Sequence, residues 1–450
     1  MSTIDYQLFI DRKHKIVNVI FYFREKKKYY IKNIHINGND KTAQHIIRRE
    51  CEISEGDFFN QAIIDKTKYN IENLGLFKRV AVISKLNTNS NTKNIEILVE
   101  EKASGALKLS TGYNNIVGLM TDVSFSEQNL FGIGKILEID SNISSKELNI
   151  NIAITNPQFF YKNLSFGYNV FIKKMSKDHA QSEEKIGFSL RMTYLINDFL
   201  YYKLDYTFKN NKIITNSSNE YVKSQQNKGS TSSITQSLIY KKSHHRKFLM
   251  SGYYLKVSQS LAGIGGYNKY IKHEFEIKYF QQLLEKTIIF HLLTKGGNIF
   301  SYNLTGINII DNFFIGEEHI RGFQVNGIGP RYRNYENHTF KELSLGGKNY
   351  YSGTLEIQFP IGIPYQYKIK GAIFSDMGML FFNDAHTFKL NERKLSKSNI
   401  NDSKFLRISY GGGVLWHSPL GPIRLDYGIP LRKEPFDITQ YFRFSFFSNF

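Results

Sequence analysis

The chain has one cysteine, Cys51, among 450 residues, which excludes an intramolecular disulfide framework and any cysteine-cluster metal site. Proline is scarce, at 8 positions, and no apolar run approaches the roughly 20 residues that a transmembrane helix needs. A spanning helix is thereby excluded; a spanning barrel is not. Intrinsic disorder is excluded too, because hydrophobic residues make up 41% of the chain and aromatics 15%. No nucleotide-binding glycine pattern and no nucleophile elbow occurs in a strand–turn–helix context, so neither an enzyme nor a cofactor is expected. Met1-Ser2-Thr3-Ile4-Asp5 shows no basic stretch leading into an apolar one, and no signal peptide is visible. Positive charge is abundant: 59 Lys and Arg against 40 Asp and Glu give a formal net charge of +19. The lysines are spread over the whole chain and no nucleic-acid-binding motif accompanies them, so nucleic acid is not an expected partner.

Two regions differ in period. From residue 29 to 102, strand and helix patterns mix. Tyr29 to Asn37 reads as a strand ended by the turn Asn37-Gly38-Asn39-Asp40. Thr42 to Glu50 reads as a short helix, and a second helix starts at Asn60 as N-cap, carries Ile63, Ile64, Ile71 and Leu74 near helical spacing, and stops at Gly75. Phe77 to Leu86 and Lys93 to Glu101 read as two strands around a polar turn. The expected order is β-α-α-β-β. Ahead of it, within residues 1–28, Tyr6 to Ile10 and Lys15 to Phe23 form a hairpin that cannot bury its own apolar face. It reads as the end of a preceding copy of the same domain.

From residue 103 to 450 the helical period vanishes and alternation at strand length takes over. Leu148, Ile150, Ile152 and Ile154 alternate with polar or small residues, as do Tyr202, Leu204, Tyr206 and Phe208; Phe275, Ile277 and Tyr279; Ile423, Leu425, Tyr427 and Ile429; and Phe442, Phe444 and Phe446, with Phe450 in the same parity. A soluble sandwich would show the same pattern with its charged face in water. Two features favour a membrane barrel: segments of roughly 10 to 14 residues, longer than usual globular strands, and aromatics along them and at their ends. At about 22 residues per strand plus turn, the stretch holds roughly 16 strands. Backbone groups in lipid have no water to bond, so such a sheet must close on itself.

Few residues invite a chemical reading. Gly263-Ile264-Gly265-Gly266 lies in an expected hairpin turn, Lys241 to Lys247 reads as a solvated turn in spite of His244 and His245, and Cys51 as a plain small side chain. The long connection from about residue 298 to 346 is different, since a connection of that length in a compact sheet is usually functional or disordered. It contains Ile320-Arg321-Gly322-Phe323 and Gly327-Ile328-Gly329-Pro330-Arg331, a glycine density that suits a fixed, tight loop. In the next strand, Leu355, Ile357 and Phe359 facing lipid turn Glu356 into the lumen. In the one after it, Ile369 and Ile373 turn Phe374 and Asp376 inward. A loop folded into the lumen would let Arg321 pair with Glu356 and Asp376 beside Phe374, a strong and directional contact away from water. A solvated loop arginine is the other reading of these residues.

Ile320-Arg321-Gly322-Phe323 resembles the tip of the sixth extracellular loop in BamA-type outer-membrane protein assembly factors. Gly346-Gly347-Lys348-Asn349, Gly353-Thr354-Leu355-Glu356 and Phe374-Ser375-Asp376-Met377-Gly378 resemble the following two strands of that family. The stretch from Gly411-Gly412-Gly413 through Trp416-His417-Ser418-Pro419-Leu420-Gly421-Pro422 to Tyr427 is the fullest match. Residues 29–102 resemble a POTRA domain, notably at Asn37-Gly38-Asn39 and Asn73-Leu74-Gly75-Leu76-Phe77. The resemblance covers nearly the whole chain and implies a mainly β fold: a 16-stranded antiparallel transmembrane barrel preceded by a small α+β POTRA domain, in the bacterial outer membrane with the POTRA in the periplasm.

The implied function is folding and insertion of β-barrel proteins into that membrane without covalent chemistry, metal or cofactor. The implied partners are unfolded barrel substrates, accessory lipoproteins, periplasmic chaperones and outer-membrane lipids. Templating would occur at the seam between the first strand, with Gly105, Leu107 and Leu109, and the last, with Phe442, Phe444, Phe446 and Phe450. Arg321, Gly322, Phe323, Glu356, Phe374 and Asp376 would lock the loop in the lumen. Two departures stand out. Phe447 occupies the place of the glycine kink usual in the last strand, and the loop disulfide of some members is impossible with one cysteine. The competing readings are a secretion transporter of the same superfamily, which passes a polypeptide through its lumen, and a passive porin, which needs no periplasmic domain.

Overall fold

The computed structural model describes residues 3–449 apart from 12, 25–27, 88–89, 116, 161–162, 179–180, 216–228, 244–250, 284–286, 303–306, 337–338, 383–388, 391–392, 395–399 and 420. The sequence features at His244, His245, Arg246, Lys247, Leu420 and Phe450 lie outside the described residues. The chain divides into two compact units, residues 1–106 with 126–137, and residues 107–125 with 138–450.

The first unit opens with a hairpin, β1 (Thr3–Asp11) and β2 (Ile16–Arg24), paired from Thr3↔Arg24 to Asp11↔Ile16. Both faces carry exposed apolar side chains, among them Leu8, Phe9, Val19 and Ile20. Then come β3 (Tyr30–Asn37), α1 (Gln44–Arg48), α2 (Gln61–Asn73), β4 (Phe77–Leu86) and β5 (Thr92–Glu101). The sheet runs β3-β5-β4, with β3 parallel and β4 antiparallel to the central β5. Period-two burial of Ile95, Ile97 and Val99 meets Ile64 and Ile71, two turns apart on α2, and Ile46 and Ile47 of α1 in one apolar core. The Asn60 side chain accepts from the Ala62 N–H at 3.0 Å, which caps α2, and Gly75 at φ +68° ends it. At Gly38, φ +88°, an added Cβ would collide with the Val99 carbonyl, so only glycine fits this turn.

The remainder of the chain, residues 105–450, forms a closed antiparallel barrel of 16 strands. Its first eleven are β6 (Gly105–Asn114), β7 (Gly118–Leu130), β8 (Lys135–Ser144), β9 (Glu147–Asn156), β10 (Leu164–Asp178), β11 (Gln181–Asn197), β12 (Leu200–Thr215), β13 (Ser230–Ser243), β14 (Gly252–Gly266), β15 (Tyr270–Leu283) and β16 (Ile288–Phe300). A long loop follows, holding the short β17 (Gly322–Phe323), β18 (Arg331–Glu336) and β19 (Thr339–Ser344). The barrel resumes with β20 (Asn349–Pro360) and β21 (Ile369–Phe381), beyond which lie the short β22 (Lys389–Leu390), β23 (Arg393–Lys394) and β24 (Ile400–Asn401). It closes with β25 (Arg407–Ser418), β26 (Gly421–Arg432) and, after the two-residue β27 (Thr439–Gln440), β28 (Phe442–Asn449), which returns to β6.

Closure rules out the soluble sandwich that the same alternation allows. Tyr168, Val170 and Ile172 on β10, and Ile186, Phe188, Leu190, Met192 and Tyr194 on β11, are exposed outward, as lipid contact requires. The intervening parity carries polar pairs such as Arg191–Asp205 at 3.0 Å and Lys173–Glu147 at 2.8 Å. Gly263 to Gly266 is not a separate hairpin turn. It forms the end of β14, where φ is positive at Gly263, Gly265 and Gly266 and the pairing with β13 shifts between Thr231 and Ser233.

The connection between β16 and β20 is, among its described residues, a structured element. Ile315, Ile320, Phe323 and Ile328 of the loop are fully buried against Ile299 and Leu380, which belong to the barrel strands β16 and β21. The hydrophobic effect on these side chains holds the loop within the barrel.

Candidate functional site

Strand parity and loop packing bring Arg321, Gly322, Phe323, Glu356, Phe374 and Asp376 to one place. Asp376, at 1% exposed, points inward from β21; Glu356, at 6%, points inward from β20. The two strands pair at Glu356↔Phe374 and Thr354↔Asp376, which sets both acids around the Phe374 ring. Arg321 fills the space between them. Its Nε donates to Asp376 Oδ2 at 2.7 Å and its Nη2 to Asp376 Oδ1 at 2.8 Å, a two-pronged contact. Its Nη1 donates to Glu356 Oε2 at 2.6 Å, and its backbone N–H adds a bond to Asp376 Oδ2 at 3.0 Å. The guanidinium carbon lies 3.4 Å from the centroid of the Phe374 ring, so the cation is stacked as well as paired.

Backbone geometry around the arginine depends on glycine. Gly322 has φ +92°, and a Cβ there would sit 3.1 Å from Gly428 O and from Pro430 Cδ of β26. A Cβ on Gly428 would stand 2.8 Å from Gly322 N and 2.9 Å from the Arg321 carbonyl carbon. Loop tip and strand therefore meet backbone to backbone. Gly411 on β25 leaves room for Phe374, whose Cζ would be 2.6 Å from a Cβ at that position.

Several members of the cluster escape sequence reasoning. Arg424 donates through Nη2 to Glu356 Oε2 at 2.7 Å and through Nε to Asp426 Oδ2 at 2.7 Å, and Gln358 Nε2 donates to Glu356 Oε1 at 2.8 Å. The signal was present: Ile423, Leu425 and Tyr427 face outward, so Arg424 and Asp426 must share the lumen face. The loop has a second anchor at Asp311, where Lys209 Nζ of β12 pairs at 2.8 Å and the Tyr270 hydroxyl donates at 3.4 Å. A third tie involves β27. Gly322 and Phe323 pair with Gln440 and Thr439, and Gln324 N–H donates to Ile438 O at 2.9 Å. The segment carrying β27 is itself held by Arg407 and Asp437, whose side chains are fully buried and bonded at 2.9 Å.

Gly105, Leu107 and Leu109 lie on β6, all exposed, Leu107 at 70%. Phe442, Phe444 and Phe446 lie on β28, where the Phe444 ring is 5.9 Å from that of Tyr113 across the seam. β28 pairs with β26 from Tyr427↔Phe442 to Ile423↔Phe446 and with β6 from Ser445↔Asn114 to Asn449↔Ser110, five pairs on each side. Phe447 stands in regular register opposite Gly112. Just past the end of β6, the Asn115 side chain extends the ladder: its Nδ2 donates to Phe442 O at 2.9 Å, and its Oδ1 accepts from the Phe444 N–H at 3.3 Å.

A closed 16-stranded barrel that holds a long loop in its lumen by an arginine at the loop tip, joined in one chain to a β-α-α-β-β domain, defines a class of outer-membrane barrel protein. Residues 129–450 match the family model described as the Omp85 superfamily domain, and residues 29–102 match the POTRA model, described as the surface antigen variable number repeat. The chain belongs to the Omp85 superfamily.

Among similar proteins, an outer membrane protein assembly factor BamA of Neorickettsia risticii is 30% identical over 438 residues, covering 96% of this chain and 57% of the relative. One of Neisseria meningitidis is 26% identical, covering 100% of this chain and 60% of the relative. The chain thus spans less than two thirds of the length of these curated relatives. Among solved structures, BamA from Haemophilus ducreyi lacking POTRA domains 1–3 superposes with TM-score 0.85 at 21% identity, covering 100% of this chain and 90% of that one. CdiB from Acinetobacter baumannii gives TM-score 0.56 at 14% identity, covering 99% and 78%. The chain is of the BamA type, a protein of the bacterial outer membrane with a periplasmic POTRA domain.

Proposed function

We propose that this chain folds and inserts β-barrel proteins into the outer membrane by templating strands at the seam between β6 and β28. The observation that carries the reading is the short seam. Among the described residues, β28 forms five pairs with β6 and five with β26, against twelve between β20 and β21 and eleven between β25 and β26, and Gly105 to Lys108 have no partner on β28. Unpaired backbone groups at membrane depth cost several kcal/mol each, which makes this stretch an acceptor for an incoming strand. The partners on this reading are unfolded barrel proteins, with accessory lipoproteins and periplasmic chaperones delivering them and outer-membrane lipids receiving the product. Hairpin β1–β2, whose apolar faces are exposed, is the end of a preceding POTRA domain, and residues 29–102 form a complete one. Arg321 with Glu356, Asp376 and Phe374 keeps the loop docked and braces the barrel while the seam works.

The likeness to CdiB favours a second reading, secretion of a polypeptide through the lumen. The loop buried inside the barrel stands against it, since passage would require Arg321 to leave two carboxylates. One experiment separates the two: dilution of a small urea-unfolded barrel substrate into liposomes with and without this protein, with the folded fraction read by heat-dependent gel mobility. Assembly predicts faster folding with the protein present. No acceleration, with liposomes that become leaky to small solutes, contradicts it and favours transport.

A further inference from the structure

The loop that carries Arg321 also reaches the seam. Glu317, four residues earlier, is 2% exposed and lies with Oε1 3.7 Å from Arg443 Nε. Arg443 sits on β28 and also donates through Nη1 to the Glu317 carbonyl at 3.4 Å. Its cross-strand partner is Asp426. The Asp426 carboxylate is itself engaged by Arg424 at 2.7 Å and lies 4.0 Å from Arg321 Nη1. Among the described residues, Arg443 is the cation within 4 Å of the Glu317 carboxylate. A buried carboxylate without a counter-charge is costly, which ties Glu317 and Arg443 together. Asn115 in turn bonds the backbone of Phe442 and Phe444. Loop, last strand and the end of the first strand therefore converge within a few ångströms, and β17 pairs with β27 immediately ahead of β28.

We propose that Glu317 is a positioning residue of the seam: through Arg443 it holds the loop-proximal end of β28 against β6, so that docking of the loop and closure of the seam are coupled. This rests on the reading of the seam as the working edge and adds the element that controls it. A seam held from inside can stay shut at one end while the rest of its edge accepts a strand. Undocking of Arg321 would loosen both ends together.

The test uses the full chain in liposomes with Cys51→Ser and a single reporter, Ser445→Cys, whose labelling rate by a water-soluble maleimide reads exposure of the seam. Glu317→Gln keeps the size of the side chain and removes its charge; Arg443→Met keeps the stem and removes the guanidinium. Each is expected to speed labelling about fivefold, with the double variant no faster than either alone. Arg443→Lys is expected to label at a rate between wild type and Arg443→Met, and it serves as the second variant where the methionine protein does not fold. A reporter at Ser237→Cys on β13, away from the seam, is expected to label at one rate in all of them. Unchanged labelling at 445 in the single variants, additive effects in the double, or equal acceleration at 237 would each overturn the coupling. Labelling is read without substrate. Failure of the wild-type protein to accelerate substrate folding would therefore count against the proposed function and leave the coupling standing.

Discussion

Arg321 distributes its donors over two carboxylates and lays its flat face on Phe374, a combination that only a guanidinium offers. All the paired side chains are at most 8% exposed, so the pairs are little screened by water. Removing one partner of such a buried pair typically costs about 3–5 kcal/mol, because the acids left behind keep their desolvation penalty. Arg321→Ala should therefore lower the temperature at which the barrel loses its folded gel mobility, and Arg321→Lys should fall between it and wild type. An unchanged transition in Arg321→Ala would show that the loop is held by its apolar packing alone. Gly428 makes a separate prediction at the same scale. Gly428→Val places branched carbon against Gly322 N and the Arg321 carbonyl carbon and should push the tip off its acids. Combined with Arg321→Ala, it should destabilise by less than the sum of the two single effects, because both break one contact. A fully additive loss in the same gel assay would mean that Gly428 acts elsewhere.

At the scale of elements, period-two alternation was legible because lipid on one side and a polar lumen on the other leave each strand residue only two environments. The same parity by itself turns Glu356, Phe374 and Asp376 inward. Arg424 and Asp426 carried the same signal and were missed, since their role depends on a strand beyond the pair considered. Tertiary ties such as Lys209–Asp311 and the pairing of Gly322 and Phe323 with Thr439 and Gln440 were not legible at all. They join residues about a hundred apart by packing within the lumen, which no local pattern records. The small domain was readable in outline, from the Asn60 cap to the Gly75 stop, but the role of Glu101 was not. Its carboxylate accepts from the Thr42 N–H at 2.7 Å and the Lys41 N–H at 3.0 Å, fixing the approach to α1. Partial burial pushes this carboxyl up, but the bonds from Thr42 and Lys41 outweigh that and hold it below the usual carboxylate range. A depressed native pKa contributes stability that is present above the unfolded value and lost as pH falls through the folded one. Thermal unfolding of domain 29–102, followed by circular dichroism from about pH 7 to pH 3, should show that loss, and Glu101→Gln should flatten it. An equally steep pH dependence in the glutamine variant would assign the effect to other acids.

For the whole molecule, closure is the governing constraint: 16 strands leave no edge in lipid except where the chain's own first and last strands meet. The long loop reaches that meeting point from inside, with Arg321 fixed on β20 and β21, and with β17 and Glu317 beside the last strand. On the proposed reading, this one loop sets both the stability of the barrel and the freedom of the seam. The direct test of the account is to tie the seam shut. Ser445 and Asn114 are register partners, and antiparallel partners lie about 4.5–5.5 Å apart at Cα, within reach of a disulfide. With Cys51→Ser, Asn114→Cys and Ser445→Cys, the oxidised protein should fail to accelerate folding of a barrel substrate in liposomes, and reduction should restore acceleration to the level of the Cys51→Ser parent. Equal acceleration by the oxidised and reduced forms would contradict templating at this seam.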